Sequence, residues 1–425
     1  MTAQPKRWSP RNPVVAWALY DWANSAYATT VMAGFFPTFF SQYWSSGVAP
    51  TTTTWRLGLA NGIAGFLIAL LAPFLGALAD RSARRKQFMF AWTLVGATAC
   101  LAMFFVAQGD WLGATSCFVL GTLGFNGGIV FNDALITHVA EPRDYDRVSA
   151  LGYALGYLGG GLLFALNVTM TLKPQWFGLD GKVGAVRWSF VSVAVWWVLF
   201  TLPMMAWVRE KGGAENRHSV ADSLRELRRT VRNIASYKPL WLFLVAYWLY
   251  IDGVNTVIKM AVDFGLALGL PASGLLGALL LTQFVAFPAA IAFGRLGTRI
   301  GAQRAVLIGI AVYAALTLYA QWLNTVAEFY VMAVVVGLVQ GGVQSLSRSL
   351  FGQFVPPGKS AEYFGFYNLM GKFATVLGPL LVGATAAITH DSRAGVSSLL
   401  VLFVIGGALL WRVRVPRQAR ADGGV

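Results

Sequence analysis

Long apolar runs recur along the whole length of this chain and constrain its fold more than any other feature. About 20 consecutive apolar residues suffice for an α-helix to cross a bilayer, and each run is 19 to 28 residues long. Hydrophobic residues make up 56% of the sequence and charged residues only 12%, against about 25% charged in an ordinary soluble domain. The sequence therefore predicts an all-α polytopic membrane protein. We number its twelve predicted transmembrane helices as spans one to twelve, over residues 14–40, 56–79, 88–108, 112–139, 149–171, 188–208, 239–262, 274–294, 304–322, 328–350, 361–388 and 396–414.

The net charge of +15 would suggest a nucleic-acid partner in a soluble protein, but the positions of the basic residues indicate another cause. With twelve spans and a cytoplasmic N-terminus, 26 of the 33 Lys and Arg residues fall on the inner side, five on the outer side and two within spans. This distribution follows the positive-inside rule. We therefore predict no nucleic-acid partner and an integral protein of the cell (inner or plasma) membrane, surrounded by the lipid bilayer, with both termini in the cytoplasm.

The first residues, MTAQPKRWSPRNP, are too polar and proline-rich for a cleavable signal peptide, so span one is predicted to be retained. Cys100 and Cys117 both fall within spans, and the three histidines are scattered along the chain. Because these residues form no metal-ligand pattern, we predict neither a metal site nor any other cofactor.

The longest charged segment lies between spans six and seven. It divides the chain into an N-terminal six-helix half (1–208), a cytoplasmic linker (209–238) and a C-terminal six-helix half (239–425). Within the linker, SVADSLRELRRTVRNI places apolar and basic residues on different faces at helical spacing. This pattern predicts an amphipathic helix on the inner leaflet, where basic residues interact with anionic headgroups. A regulatory role for the linker is the alternative.

Two sequence features occur once in each half. The stretch WALYDWANSAY in span one returns as WLYIDGVNT in span seven, so that Asp21 corresponds to Asp252 and Asn24 to Asn255. The loop GALADRSARRK after span two corresponds to GRLGTRIGAQR after span eight, where Thr298 replaces the aspartate. Internal repeats of this kind are typical of transporters built from two related halves.

The loop GALADRSARRK resembles the loop signature of the major facilitator superfamily, which has a glycine, an aspartate four residues on and then a basic cluster. Within that superfamily, four stretches are similar to the vacuole-effluxer-like ("unknown major facilitator") family and its bacterial branch: YDWANSAY, YIDGVNTVI, QGGVQSLSRSLF and AEYFGFYNLMGKFATVLGP. The resemblance covers nearly the whole chain. It implies the major facilitator fold, with twelve helices in two pseudo-symmetric halves, and it implies amino-acid export.

Polar residues concentrate in spans one, four, seven, ten and eleven, whereas spans three, six, nine and twelve carry almost none. In the major facilitator architecture, helices one, four, seven and ten line the central cavity and helices three, six, nine and twelve face lipid. A charged residue at the bilayer centre costs about 2.5–3.5 kcal/mol on insertion scales, and it persists where it faces protein or a water-filled cavity. The predicted residues for substrate binding and coupling are Asp21, Asn24, Asn126, Asp133, Asp252, Asn255, Lys259, Gln340, Gln344, Asn368 and Lys372.

Some of these residues have a structural alternative. Asp21 and Asp133 lie in the inner halves of their spans, where either could pair with the basic inner loops, and Lys259 could extend to the surface. A small-residue stripe in span five (Gly152, Gly156, Gly160) predicts tight helix packing rather than chemistry. The predicted cytoplasmic gate consists of Gly76, Asp80, Arg81, Arg84, Arg85, Arg299 and Arg348.

These features favour a secondary active transporter that works by alternating access. A channel and a membrane protein with a purely structural or receptor role are the alternatives. An ion channel would need a filter loop or charge rings, and the sequence shows neither. It contains no HExxH or GxSxG motif, so no enzyme is predicted, and no Walker A motif, so ATP is not the direct energy source. A gradient of protons, or alternatively of sodium, is the expected energy source.

The mixed polarity of the cavity suggests the substrate. Both charge signs, amides and aromatic rings suit a small zwitterion such as an amino acid, and a sugar, a drug or an organic anion are the alternatives. Asp252, paired with Lys259 or Lys372, is predicted to be the proton-coupling site, and Asp21 to bind substrate or support the inner gate. The transporter is predicted to act as a monomer.

Overall fold

The computed structural model describes residues 12–48, 52, 56, 59–60, 63–68, 84–210, 232–234, 236–356, 358–374 and 377–415. Every regular element in these ranges is helical, as predicted. The helices of the first half are Pro13–Ala26 with its continuation to Trp44 in span one, and then Arg85–Met103, Trp111–Val139, Tyr145–Leu172 and Lys182–Trp207 in spans three to six. Those of the second half are Lys238–Ala267, Ala272–Ile300, Ala302–Tyr319, Val326–Gly352, Ser360–Phe373, Leu377–Thr389, Ser392–Ser397 and Leu400–Arg412.

Within the described residues, eight helices are long and apolar enough to cross a membrane, and they correspond to spans four to ten and span twelve. Much of span two and most of the predicted amphipathic linker helix fall outside the described residues. So do Gly76, Asp80 and Arg81 of the predicted gate.

Local sequence signals fix several helix ends. Asn12 accepts a hydrogen bond from the backbone N–H of Val14 at 3.0 Å, and Pro13 occupies the first turn. The helix of span ten begins with a capping box, in which the side chain of Thr325 and that of Glu328 each bond the other's backbone N–H. These caps satisfy backbone donors that a helix start would otherwise leave unpaired.

Span eleven, predicted as one helix over 361–388, consists of two. The first helix ends at Phe373 and the second begins at Leu377. Span twelve is likewise built from two helices, Ser392–Ser397 and Leu400–Arg412. The division of span eleven matters for the site described below.

The two halves pack against each other through spans four, five, eight, ten and eleven. Small residues allow the helices to approach closely: a Cβ added at Gly294 in span eight would lie 2.4 Å from the Cβ of Ala150 in span five. Spans three, six, nine and twelve instead present exposed apolar side chains, such as Leu94, Leu199, Ile308 and Val404. Exposed apolar side chains also occur on the predicted cavity-lining spans, such as Leu120 in span four and Leu338 in span ten.

Candidate functional site

A buried arginine of the second half lies against two carboxylates of the first half. Arg348, in span ten, is only 3% exposed. Its Nη1 atom lies 3.0 Å from Oδ1 of Asp133 in span four and 3.2 Å from Oδ2 of Asp21 in span one, and its Nη2 atom donates to the same Asp21 oxygen at 3.2 Å. We call Arg348, Asp21 and Asp133 the latch.

Span five completes the coordination of the guanidinium group. Nε of Arg348 donates to the hydroxyl of Ser149 at 2.8 Å, and Nη2 donates to the backbone oxygen of Ser149 at 2.9 Å. The rings of Trp17 and Tyr153 lie 4.8 Å and 4.4 Å from the guanidinium carbon. The planar, many-donor head group of arginine suits such a site because it can bond several acceptors and stack on rings at once.

Amide side chains support each carboxylate of the latch. Asn132 donates to Oδ1 of Asp21 at 3.1 Å, and Asn368 in span eleven donates to Oδ2 of Asp133 at 3.0 Å. Hydrogen bonds to ionised groups are stronger than those between neutral groups, and buried charges persist only when they are paired and hydrogen-bonded. The latch is therefore a charged cluster whose contacts are distributed over both halves of the molecule.

The latch lies toward the end of the bundle where span one begins, which we call the inner end. Arg348 is one turn before the end of its helix at Gly352, and Ser149 is one turn after the start of its helix at Tyr145. Opening the two halves at this end would separate Arg348 from both carboxylates. The predicted gate residue Arg348 and the predicted cavity residues Asp21, Asp133 and Asn368 thus belong to one cluster.

Asp252 makes different contacts from its counterpart Asp21. It is fully buried, and its two carboxylate oxygens accept hydrogen bonds from the backbone N–H groups of Leu377 at 2.9 Å and Gly378 at 3.0 Å. Thr256 donates to the same carboxylate at 3.3 Å. Asn255 donates to the backbone oxygen of Ala374 at 3.0 Å. The second copy of the Asp-x-x-Asn motif therefore contacts both sides of the break in span eleven.

The predicted lysine partners of Asp252 are Lys259 and Lys372. Lys259 lies on span seven, and its side chain is exposed. Lys372 lies in the first helix of span eleven, and its side chain is outside the described part.

The remaining predicted cavity residues take several roles. Gln344 accepts a hydrogen bond from the hydroxyl of Tyr157 at 2.7 Å, which links spans ten and five, and Gln340 is buried in span ten. Asn24 and Asn126 are also buried. Among the described residues, Nδ2 of Asn24 and Oδ1 of Asn126 have no hydrogen-bond partner. Buried polar atoms without a partner are uncommon in native proteins, so these two amides stand out among the predicted cavity residues.

At the predicted gate loop, the described residues are Arg84, Arg85 and the residues that follow. Arg84 is exposed, whereas Arg85 is buried and its guanidinium group contacts His138 at 3.2 Å. The carboxylate of Glu210 accepts hydrogen bonds from the backbone N–H groups of Arg85 and Lys86, each at 2.9 Å, and so caps the helix of span three. On the other half, Arg299 is exposed.

Sequence reasoning missed Ser149, Tyr153, Asn132 and Glu210. Ser149 and Tyr153 lie on the same face of span five as the glycine stripe, and that stripe by itself predicts helix packing only. Asn132 directly precedes Asp133 in a polar part of span four, and this adjacency is the sequence signal that could have indicated its role. Glu210 carries no comparable signal, because its partner is a helix start far away in sequence.

Comparisons with known proteins agree with this architecture. Residues 57–423 match the family model described as "Vacuole effluxer Atg22 like". The chain is 38% identical over 410 residues to an uncharacterized MFS-type transporter, YxiO, of Bacillus subtilis, and the alignment covers 96% of this chain and 95% of the relative. It is 28% identical to autophagy-related protein 22-2 of Neosartorya fischeri over 65% of this chain and 50% of the relative, so the match spans about half the length of that fungal protein.

Solved structures share the fold at low identity. The human organic anion transporter MFSD10 superposes with a TM-score of 0.71 at 16% identity, covering 96% of this chain and 100% of that chain. The proton:xylose symporter XylE superposes with a TM-score of 0.69 at 12% identity, over 96% and 95% of the two chains. The fold is therefore that of the major facilitator superfamily, and the chain belongs to the vacuole effluxer Atg22-like family of membrane transporters.

Proposed function

We propose that the protein is a secondary active transporter that moves a small polar solute by alternating access and is driven by a proton gradient. The observation that carries this proposal is the latch. A single buried arginine of one half is held by two carboxylates of the other half near the inner end. Such a contact closes one end of the bundle in one conformation and has to break when that end opens.

The energetics of the latch suit a reversible closure. Removing one partner from a buried ion pair is costly, at about 3–5 kcal/mol, because a charge is left buried without compensation. When the inner end opens, however, water reaches all three groups at once and rehydrates them. The closed latch is therefore stable without being permanent, which a transport cycle requires.

The contacts of Asp252 support a coupling role for this carboxylate. The two backbone groups and the Thr256 hydroxyl that contact it all donate hydrogen bonds. A proton on either oxygen would weaken these hydrogen bonds, because a neutral carboxyl group is a poorer acceptor than a carboxylate. Proton binding and the conformation of span eleven are linked in this proposal.

An exported amino acid is the substrate class we favour. The cavity helices offer a cation, several carboxylates, amides and aromatic rings, which match the two charged groups of a zwitterion. The name of the matching family, a vacuole effluxer, supports export. A sugar or an organic anion is the second candidate, because a xylose symporter and an organic anion transporter are among the structural neighbours.

A substrate panel on purified protein tests this proposal. Amino acids, sugars and organic anions are first screened by thermal shift, and each hit is then measured in proteoliposomes with an imposed proton gradient. We expect saturable, gradient-dependent flux of an amino acid. Fast, non-saturating ion flux would indicate a channel, and saturable flux of a sugar or an organic anion alone would replace the proposed substrate class.

The two aspartates of the repeated motif give a matched pair of variants. We expect Asp252→Asn to abolish gradient-driven accumulation but to leave exchange of substrate across the membrane measurable. Asp21→Asn removes a charge from the latch, and we expect it to impair accumulation and exchange together. Accumulation at the wild-type level in Asp252→Asn would transfer the coupling role to Asp21, to Asp133 or to another ion.

A further inference from the structure

The second Asp-x-x-Asn motif bridges the interruption in span eleven. The first helix of this span ends at Phe373, and the backbone oxygen of the next residue, Ala374, accepts a hydrogen bond from Asn255. The second helix is described from Leu377 onward, and the backbone N–H groups of Leu377 and Gly378 donate to Asp252. Two residues one turn apart on span seven therefore cap both helices of span eleven.

Helix ends explain why these contacts are needed. The first N–H groups and the last carbonyl groups of a helix have no partner within that helix, and an unpaired buried backbone group is costly. A carboxylate is also favoured at a helix N-terminus, where the helix dipole is positive. From the neighbouring span seven, Asp252 and Asn255 supply hydrogen-bond partners for backbone groups that have none within the two helices of span eleven.

The first half shows the contrasting case. Its counterpart of span eleven is span five, which is one uninterrupted helix from Tyr145 to Leu172. At the position facing Asp21, span five has Gly152, where an added Cβ would lie 2.3 Å from the Asp21 carboxylate. With no break to cap, Asp21 is available for Arg348. The same motif thus has two different roles, and the difference lies in the partner helix.

The first helix of span eleven also reaches the latch. It carries Asn368, which donates to Asp133, and Tyr367, whose ring stacks on Tyr247 of span seven at 4.3 Å between ring centroids. This helix is therefore held by the latch along its length and by Asn255 at its end. A change in the angle between the two helices of span eleven would move Asn368 relative to Asp133.

We propose that Asp252 and Asn255 act as a splint that fixes the angle between the two helices of span eleven and transmits a change at Asp252 to the latch through Asn368. This inference rests on the proposed transport function for its purpose. It does not depend on that function for its geometry, so the two can be tested separately.

Spin labels at the two ends of span eleven test the splint in the full-length protein. The background carries Cys100→Ser and Cys117→Ser, which remove the two native thiols. One label is attached through Lys359→Cys, just before the first helix, and the other through Ile388→Cys, at the exposed end of the second helix. We expect the distance distribution to shift or broaden in both Asp252→Asn and Asn255→Ala. Trp241→Phe, a change at an exposed position nearer the start of span seven, is the control and should leave the distance distribution unchanged.

Amide hydrogen exchange provides a local readout on the same variants. We expect the Leu377 and Gly378 amides to exchange roughly tenfold faster in Asp252→Asn, because each loses a charged acceptor. Asn255→Ala keeps that acceptor, so it should shift the label distance with a smaller effect on these amides. Unchanged distances in both variants, or unchanged exchange in Asp252→Asn, would overturn the splint.

Transmission to the latch is tested by a double variant. If Asp252 acts through Asn368, then Asn368→Ala should reduce turnover, and adding Asp252→Asn should reduce exchange of substrate by less than the product of the two separate effects. Fully multiplicative effects would refute transmission.

The same variants distinguish the splint from the proposed coupling role. If Asp252→Asn loses accumulation while the label distance across span eleven is unchanged, the coupling proposal stands and the splint fails. If the label distance changes while accumulation persists, the splint stands and the coupling proposal fails.

Discussion

At the residue scale, the chemistry of Arg348 explains why no other cation would serve at this position. Its guanidinium group bonds Asp21, Asp133 and both the hydroxyl and the backbone oxygen of Ser149, and it lies against two aromatic rings. A lysine ammonium is a compact point charge on a flexible stem and cannot reproduce this planar arrangement. Arg348 therefore supplies both the positive charge and the planar set of hydrogen-bond donors that this site uses.

Arg348→Gln should destabilise the protein because it leaves two carboxylates buried without their cation. We expect a loss of about 3–5 kcal/mol, measured as a lower Tm in detergent. The triple variant with Asp21→Asn and Asp133→Asn removes all three charges and should recover most of the stability, while transport remains lost. Arg304→Gln, at an exposed position, is the control. If the triple variant were no more stable than the single one, the buried ion pairs would not be the cause.

At the scale of the element, the glycine stripe of span five sets how closely spans one and five approach. Added Cβ atoms at Gly152, Gly156 and Gly160 would lie 2.3 Å, 2.7 Å and 2.7 Å from Asp21, Ser25 and Thr29 of span one. The stripe was predicted to be a packing face, and its partner is the helix that carries the latch carboxylate. The packing face of span five is therefore also the face that contacts the latch residue Asp21.

Gly152→Ala should interfere with the latch directly. The new methyl group would overlap the Asp21 carboxylate and lie 2.8 Å from Nη2 of Arg348, and overpacking of this kind costs about 1–3 kcal/mol. We expect a lower Tm and a several-fold lower transport rate. Gly184→Ala in span six is the matched control, since nothing lies within 4 Å of its added Cβ. Equal effects of the two substitutions would contradict the role assigned to this close approach.

At the scale of the whole molecule, the distribution of basic residues predicts the orientation in the membrane. Residues 143 and 176 flank span five, and both side chains are exposed, Arg143 at 76% and Trp176 at 75%. In a background without Cys100 and Cys117, a membrane-impermeant maleimide should label Arg143→Cys only from the cytoplasmic side and Trp176→Cys only from outside. Labelling of both from one side would refute the predicted topology, and reversed labelling would refute the orientation.

Much of this architecture could be predicted from the sequence by itself. Spans four to ten appear as continuous helices close to their predicted limits, because every backbone group in a bilayer has to be paired within its own helix or barrel. The burial of Asp21, Asp133, Asp252 and Arg348 could be predicted for a related reason, since a charge in an apolar span has to face protein or water. Helical periodicity predicts one inward face for Asp252, Asn255 and Lys259, but only Asp252 of the three is buried and Lys259 is exposed.

The pairing of those residues was decided only by the tertiary structure. Asp21 and Asp252 occupy the same motif in the two halves, and nothing in their own spans shows that one contacts Arg348 while the other caps span eleven. The difference arises in the partner helices, which are distant in sequence: span five is continuous and has a glycine at the contact, whereas span eleven is interrupted and exposes backbone groups. A local pattern predicts that a polar group needs a partner, but which partner it finds depends on how the helices pack.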